Sequence, residues 1–289
     1  MRVFVTGATG FVGSAVVQEL KAHGHQVLGL SRSETGVAQL EAIGVAAVLG
    51  TLDDHDVLTR SAAACDGVIH TAFNHDFSKF AENAQQDGRA IAVLGAALEG
   101  TTKPILVTSG TAMLAVGRMA TEEDRPGGHS PRISEPSADA LVAKGVHASV
   151  VRLAPTTHGA GDHGFVPMLI GLAREKGVAA YIGEGDNRWS AVHRGDAARL
   201  YRLALERGAK GERYHAVAEE AVPMKTIAAA IGKGLGLPVE SRPPEHFGWF
   251  AMFAGMDAAT SAAWTRETLG WSPTGSSLAE DLENAGYFG

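Results

Sequence analysis

The residues best suited to chemistry stand at the start of the chain. Thr6-Gly7-Ala8-Thr9-Gly10-Phe11-Val12-Gly13 places three glycines where a tight turn, a close backbone approach to pyrophosphate and close helix packing each need one. Phosphate would meet free amides at a helix N-terminus, favoured by the helix dipole. Gly7, Thr9, Gly10, Phe11, Val12 and Gly13 are therefore expected to contact a dinucleotide. About 20 residues further on, where an acid would hold the ribose 2′-hydroxyl, the chain carries Ser31-Arg32-Ser33. Arg32 can pair with a 2′-phosphate and the serines can donate to the same oxygens, so NADP(H) is expected over NAD(H). Glu34 is the alternative ribose ligand.

Such a motif needs a strand before it and a helix after it. Arg2 to Thr6 reads as the strand and Phe11 to His23 as the helix. Strands follow at 26–31, 46–50, 67–71, 104–108 and 148–153, with helices at 37–43, 57–63 and 83–99. Short apolar strands joined by helices predict an α/β fold, a Rossmann doubly wound parallel sheet covered on both faces. Beyond Gly159 the pattern loosens, and a smaller C-terminal substrate-binding lobe is expected. Residues 196–206 read as a helix and 213–218 as a strand, either able to return to the main sheet. The dinucleotide-binding part is thus assigned 1–158 plus 189–217, and the lobe 159–188 plus 218–289.

The 289 residues, 45% apolar and 20% charged, suit a folded globular protein and exclude disordered and collagenous classes. A formal charge of −7 gives no general pull toward nucleic acid or anionic membrane. The single cysteine, Cys65, cannot form an intrachain disulfide or a cysteine zinc cluster. Neither a signal peptide nor a membrane-spanning run is evident, and a cytoplasmic location, as monomer or homodimer, is expected.

The chain resembles the short-chain dehydrogenase/reductase superfamily in its extended or atypical forms, within the NAD-dependent epimerase/dehydratase-like group. The resemblance covers nearly the whole chain. It rests on the TGxxGxxG opening, Asp66-Gly67-Val68-Ile69-His70-Thr71-Ala72, Ile105-Leu106-Val107-Thr108-Ser109-Gly110, Val151-Arg152-Leu153-Ala154-Pro155, Val192-His193-Arg194-Gly195-Asp196 and Leu269-Gly270-Trp271-Ser272-Pro273. It implies that Leu52 and Asp53 flank adenine and that Thr71, Ala72 and Phe73 meet the central cofactor. Thr108 joins the cofactor set, with Ala154, Pro155 and Thr156 at the nicotinamide end. Arg152 and Asp196 read as structural.

The departures from that group concern the proton. Its usual Tyr and Lys, four residues apart, are missing, and no tyrosine occurs between Gly110 and Val150. Gly110 stands at the commonest serine position, flanked by Ser109 and Thr111, which are expected to orient a carbonyl oxygen. A proton donor must lie within reach of that oxygen. His75 follows the fourth strand at the carboxyl edge of the sheet and is the preferred acid. His158, where the group often has a tyrosine, is the reserve, and His193 is the weakest candidate.

No metal site is expected, because the 12 histidines show no ligand spacing. Phe77, Phe165, Tyr181 and Trp189 are expected to line the substrate pocket. Arg188 falls one residue out of register with the arginine that grips diphosphate in related sugar-nucleotide enzymes. The reading is an NADPH-dependent reductase of a small apolar or aromatic carbonyl compound, with C=N and C=C substrates also open. The alternatives are a nucleotide-sugar epimerase or dehydratase and a non-catalytic NADP(H)-binding redox sensor.

Overall fold

The computed structural model describes residues 1–112, 114–115, 117–127 and 132–289, except the side chain of Phe77. The first half alternates strand and helix: β1 (Arg2–Thr6), α1 (Phe11–Ala22), β2 (Gln26–Ser31), α2 (Glu34–Ala42), β3 (Ala46–Leu49), α3 (His55–Ala63), β4 (Gly67–His70), a short 3₁₀ turn (Phe77–Lys79), α4 (Phe80–Ala96), β5 (Ile105–Gly110), α5 (Ser134–Ala143) and β6 (Ala148–Leu153). The second half holds β7 (Thr156–His158), α6 (Phe165–Lys176), β8 (Ala179–Tyr181), β9 (Arg188–His193), α7 (Arg194–Arg207), β10 (Arg213–Ala216), β11 (Glu219–Pro223), α8 (Met224–Leu235), β12 (Val239–Ser241), a 3₁₀ segment (Pro244–Phe250), α9 (Ala251–Ala254), α10 (Ala263–Leu269) and α11 (Leu278–Asn284).

Seven parallel strands form the main sheet in the order β10-β6-β5-β4-β1-β2-β3. Burial on both faces explains the near-continuous apolar runs. One face carries α1 and α7, with Val3, Val5, Val16, Leu20, Leu200 and Tyr201 in a common core. The other carries α3, α4 and α5 over Phe4, Val68, Ile105 and Val107. Strand order reverses between β1 and β4, and such a switch point opens a crevice at the carboxyl ends of the strands.

Both β10 and α7 return to the main body as expected. Residues 156–158 and 188–193 do not join the main sheet, however. β7 pairs with β9, and β9 with β11, in a separate three-stranded sheet. Pro155 interrupts the chain after β6 because it has no N–H with which to continue the ladder. β8 and β12 form a two-stranded ribbon, and the second lobe closes around Val166, Ile170, Trp189, Ile227, Phe247 and Phe250.

Candidate functional site

The glycine turn after β1 is built for close approach. Gly7 has φ +67°, and a Cβ there would meet the Ala72 amide nitrogen at 2.8 Å. A Cβ at Gly13 would stand 2.0 Å from the Gly7 carbonyl oxygen. Gly10 caps α1 without a side-chain bond and no acid occupies the first turn, so this helix N-terminus keeps its amides and its positive end available. Thr9 and Gly10 are exposed beside half-buried Phe11 and Val12. These features fit a dinucleotide pyrophosphate.

At the end of β2, Arg32 is exposed but the serines are partly committed. Ser31 is buried and donates to the Ser33 carbonyl (3.0 Å), while Ser33 caps α2 by accepting from the Gly36 amide (3.1 Å). Ser31 is thus a brace for the loop, beside the exposed Arg32 side chain. Half-buried Leu52 and exposed Asp53 follow β3, and Asp53 accepts from Gln86 and pairs with Arg89 at 3.8 Å. Thr71 donates to the Thr6 carbonyl (2.7 Å), holding Ala72 and Phe73 against the glycine turn. Ala154 and Thr156 are buried and Pro155 is half-buried.

The hydroxyls beside β5 do not gather where a carbonyl oxygen could reach them. Thr108 donates to the His70 carbonyl (2.7 Å) and meets the Tyr201 hydroxyl at 2.6 Å. Side chains alternate along a strand, so Ser109 faces the opposite layer. There it helps hold the Glu135 carboxylate ionised against the effect of burial, together with Arg152, which bonds both carboxylate oxygens at 2.8 Å, and Arg213. Thr111 is 1% exposed, and its Oγ1 lies 3.4 Å from Ser190 Oγ. The expectation that Ser109 and Thr111 orient substrate is corrected accordingly: both serve the interior.

His158 is also corrected. It is 0% exposed, with Nδ1 2.6 Å from Asp281 Oδ2, tying β7 to α11. Burial pushes its pKa down, with Asp281 opposing, and the ring is enclosed in the interior. His193 caps α7 and stands 5.8 Å ring to ring from His158. His75, by contrast, is exposed on the rim, packed edge-on to Phe73 at 5.3 Å. Partial desolvation and the charges of Arg132 and His163 hold its pKa below the ordinary histidine value.

Two groups with no role in the sequence reading complete the cleft. Arg132, just before α5, donates to the Thr108 carbonyl (3.2 Å) and to Ser134 Oγ (2.9 Å), with its Cζ 4.4 Å over the Phe73 ring. Ser134 donates to Asp87 Oδ2 (2.5 Å), and Asp87 Oδ1 is 3.0 Å from His70 Nε2. Burial alone would raise the Asp87 pKa, but His70, Arg132 and Ser134 hold it down. An acid among the buried positions of α4, beside Ala84, Gly88 and Ile91, is the sequence signal that could have revealed this network.

The loop before α6 reaches the first turn of α1. His163 stands edge-on to Phe11 at 5.8 Å, and the Arg194 guanidinium lies 5.1 Å over the same ring. Two residues on, Phe165 is half-buried against Phe253 at 4.7 Å. Trp189, expected in the pocket, is 0% exposed and packs on Phe165 and Phe250, so it is lobe core. Tyr181 lies on the β8–β12 ribbon under Lys225, and the Phe77 side chain lies outside the described residues. Arg188 is held by Asp257 through two bonds, of 3.0 and 2.7 Å.

Comparison with known proteins agrees with this architecture. The family model described as NAD dependent epimerase/dehydratase family matches residues 3–217. An uncharacterized protein of Schizosaccharomyces pombe is 50% identical over 295 residues, covering 100% of both chains. A 4-hydroxy-2-methyl-3-oxo-4-farnesyl-3,4-dihydroquinoline-1-oxide ketoreductase of Stigmatella aurantiaca is 29% identical, covering 83% of this chain and 75% of its own. Among solved structures, a dTDP-glucose 4,6-dehydratase of Streptomyces venezuelae with NAD bound superposes with a TM-score of 0.80 at 20% identity, over 100% of this chain and 99% of that one.

Proposed function

The chain belongs to the NAD dependent epimerase/dehydratase family, and within it we propose that this protein is an NADPH-dependent reductase of a small apolar or aromatic carbonyl compound. The observation that carries the reading is the glycine cradle at the switch point, with Phe11 at the first turn of α1 and Phe73 after β4 beside it. Gly7, Gly10 and Gly13 would hold the pyrophosphate, Arg32 and Ser33 the 2′-phosphate, Thr71, Ala72 and Phe73 the centre of the cofactor, and Ala154, Pro155 and Thr156 its nicotinamide end. A bound reduced nicotinamide supplies the hydride. The Phe11 and Phe73 rings exclude water and receive an apolar substituent, and His75 returns a proton taken from solvent to the new alcohol oxygen. A ketoreductase among the relatives supports the reaction type.

A nucleotide sugar is less well served. Near the position from which related sugar-nucleotide enzymes grip the diphosphate, the Arg188 guanidinium is occupied by Asp257. The test is NADPH consumption with a panel of alkyl and aryl ketones and aldehydes, alongside direct measurement of NADPH binding. Sustained turnover with at least one apolar carbonyl is expected. Tight NADPH binding without turnover across the panel would favour the redox-sensor reading.

A further inference from the structure

Most of the enclosed arginines are held by a carboxylate; Arg132 is not, and neither is Arg266, whose Nη2 donates to the Val217 and Ala218 carbonyls away from the cleft. Arg152 and Arg213 share Glu135, Arg188 has Asp257 and Arg202 has Glu19. Among the described residues no ion pair joins Arg132 to a carboxylate. Its Nε and Nη2 are spent on a hydroxyl and a carbonyl, and Asp87 is reached only through Ser134. A desolvated cation without a contact anion is costly, and burial lowers the Arg132 pKa. Nη1, with two N–H groups, has no hydrogen-bond partner among the described residues. The bonds to Thr108 and Ser134 and the Phe73 face fix the guanidinium plane beside the ends of β4 and β5.

We infer that Arg132 is the anion-holding group of the cleft, donating from Nη1 to the substrate oxygen as it becomes negative. The inference rests on the reductase reading for the identity of that oxygen. Hydride adds to the carbonyl carbon, the C=O π pair moves to oxygen, and Arg132 holds the alkoxide while keeping its own protons. A proton from the His75 imidazolium, or from water, completes the hydroxyl. Fixed donors in a site shielded from water act on developing charge without having to reorganise.

The test uses benzoate, whose carboxylate stands in for the alkoxide, and benzamide as the neutral control, titrated calorimetrically into the NADP⁺-saturated protein. Wild type should bind benzoate more tightly than benzamide, Arg132→Gln should weaken benzoate about tenfold or more, and Arg132→Lys should fall between. NADP⁺ affinity should be the same in all three, which also reports folding. If Arg132→Gln does not fold, Arg132→Lys supplies the comparison. No benzoate binding by wild type, equal binding by the variants, or loss of NADP⁺ affinity in Arg132→Lys overturns the inference. Arg132-dependent benzoate binding without turnover of any carbonyl contradicts the reductase reading alone. With a carbonyl that is reduced, Arg132→Gln should lower kcat about 10²–10³-fold, with partial rescue by added guanidinium.

Discussion

At the scale of single residues, the proposed preference for NADPH rests on Arg32, because Ser31 spends its hydroxyl inside the loop. A charge-assisted contact to a 2′-phosphate is worth about 1.5–3 kcal/mol, or about 10- to 150-fold in affinity. Arg32→Ala should therefore weaken NADPH binding by that factor while leaving NADH nearly unchanged, as fluorescence titration would show. Equal loss for both cofactors would contradict the assignment. His75 is the proposed proton donor, and acid catalysis contributes about 10²–10⁴-fold. His75→Ala should lower kcat by at least about 10² with NADPH affinity intact. Because its pKa lies below the ordinary 6.5, the wild-type rate should rise as pH falls into that acidic range, and the variant should lack this limb. His158→Ala should act on stability rather than on the pH profile, since its ring is enclosed with Asp281.

At the scale of elements, the turn between β1 and α1 tolerates little. Gly13→Ala sets a carbon against the Gly7 carbonyl, and overpacking of this kind costs about 1–3 kcal/mol. It should lower both Tm and NADPH affinity, whereas Gly171→Ala, in α6 with nothing within 4 Å, should lower neither. In β9, Trp189→Ala removes a fully buried ring and should cost about 3–5 kcal/mol in urea unfolding. A change in substrate preference at unchanged stability would return Trp189 to the pocket. The six strands from Arg2 to Leu153 were legible because each is a short apolar run between turns. Strand β7, of three residues, has no period to read, so its departure into a second sheet was not. Ser109 was misread because chain position says it is near β5's end but not which layer it faces. Arg132 lies outside any helix or strand, and its role emerges only when Thr108, Ser134 and Phe73 converge on it.

At the scale of the whole molecule, buried Arg152 is paired with Glu135 and also donates to a buried histidine. His215 Nδ1 lies 2.7 Å from the Ser261 carbonyl, which makes it the donor, and Nε2 accepts from Arg152 Nη1 at 3.0 Å. Burial and Arg152 push its pKa down to about 4. The unfolded chain therefore binds more protons than the native one between about 6.5 and 4, so stability is full above that window and falls as pH drops through it. Urea midpoints across the window should show this slope, and His215→Gln should flatten it, whereas an unchanged slope would place the proton uptake elsewhere. The glycine cradle, the Phe11 and Phe73 rings and the neutral enclosure of Arg132 serve one account, hydride transfer to a carbonyl carbon. The most direct test is mass spectrometry of the product formed from an apolar ketone and NADPH deuterated at the transferable position of C4. The account predicts an alcohol carrying one deuterium at its carbinol carbon, formed in proportion to the NADPH consumed. Consumption of NADPH with no deuterium in the product would contradict it.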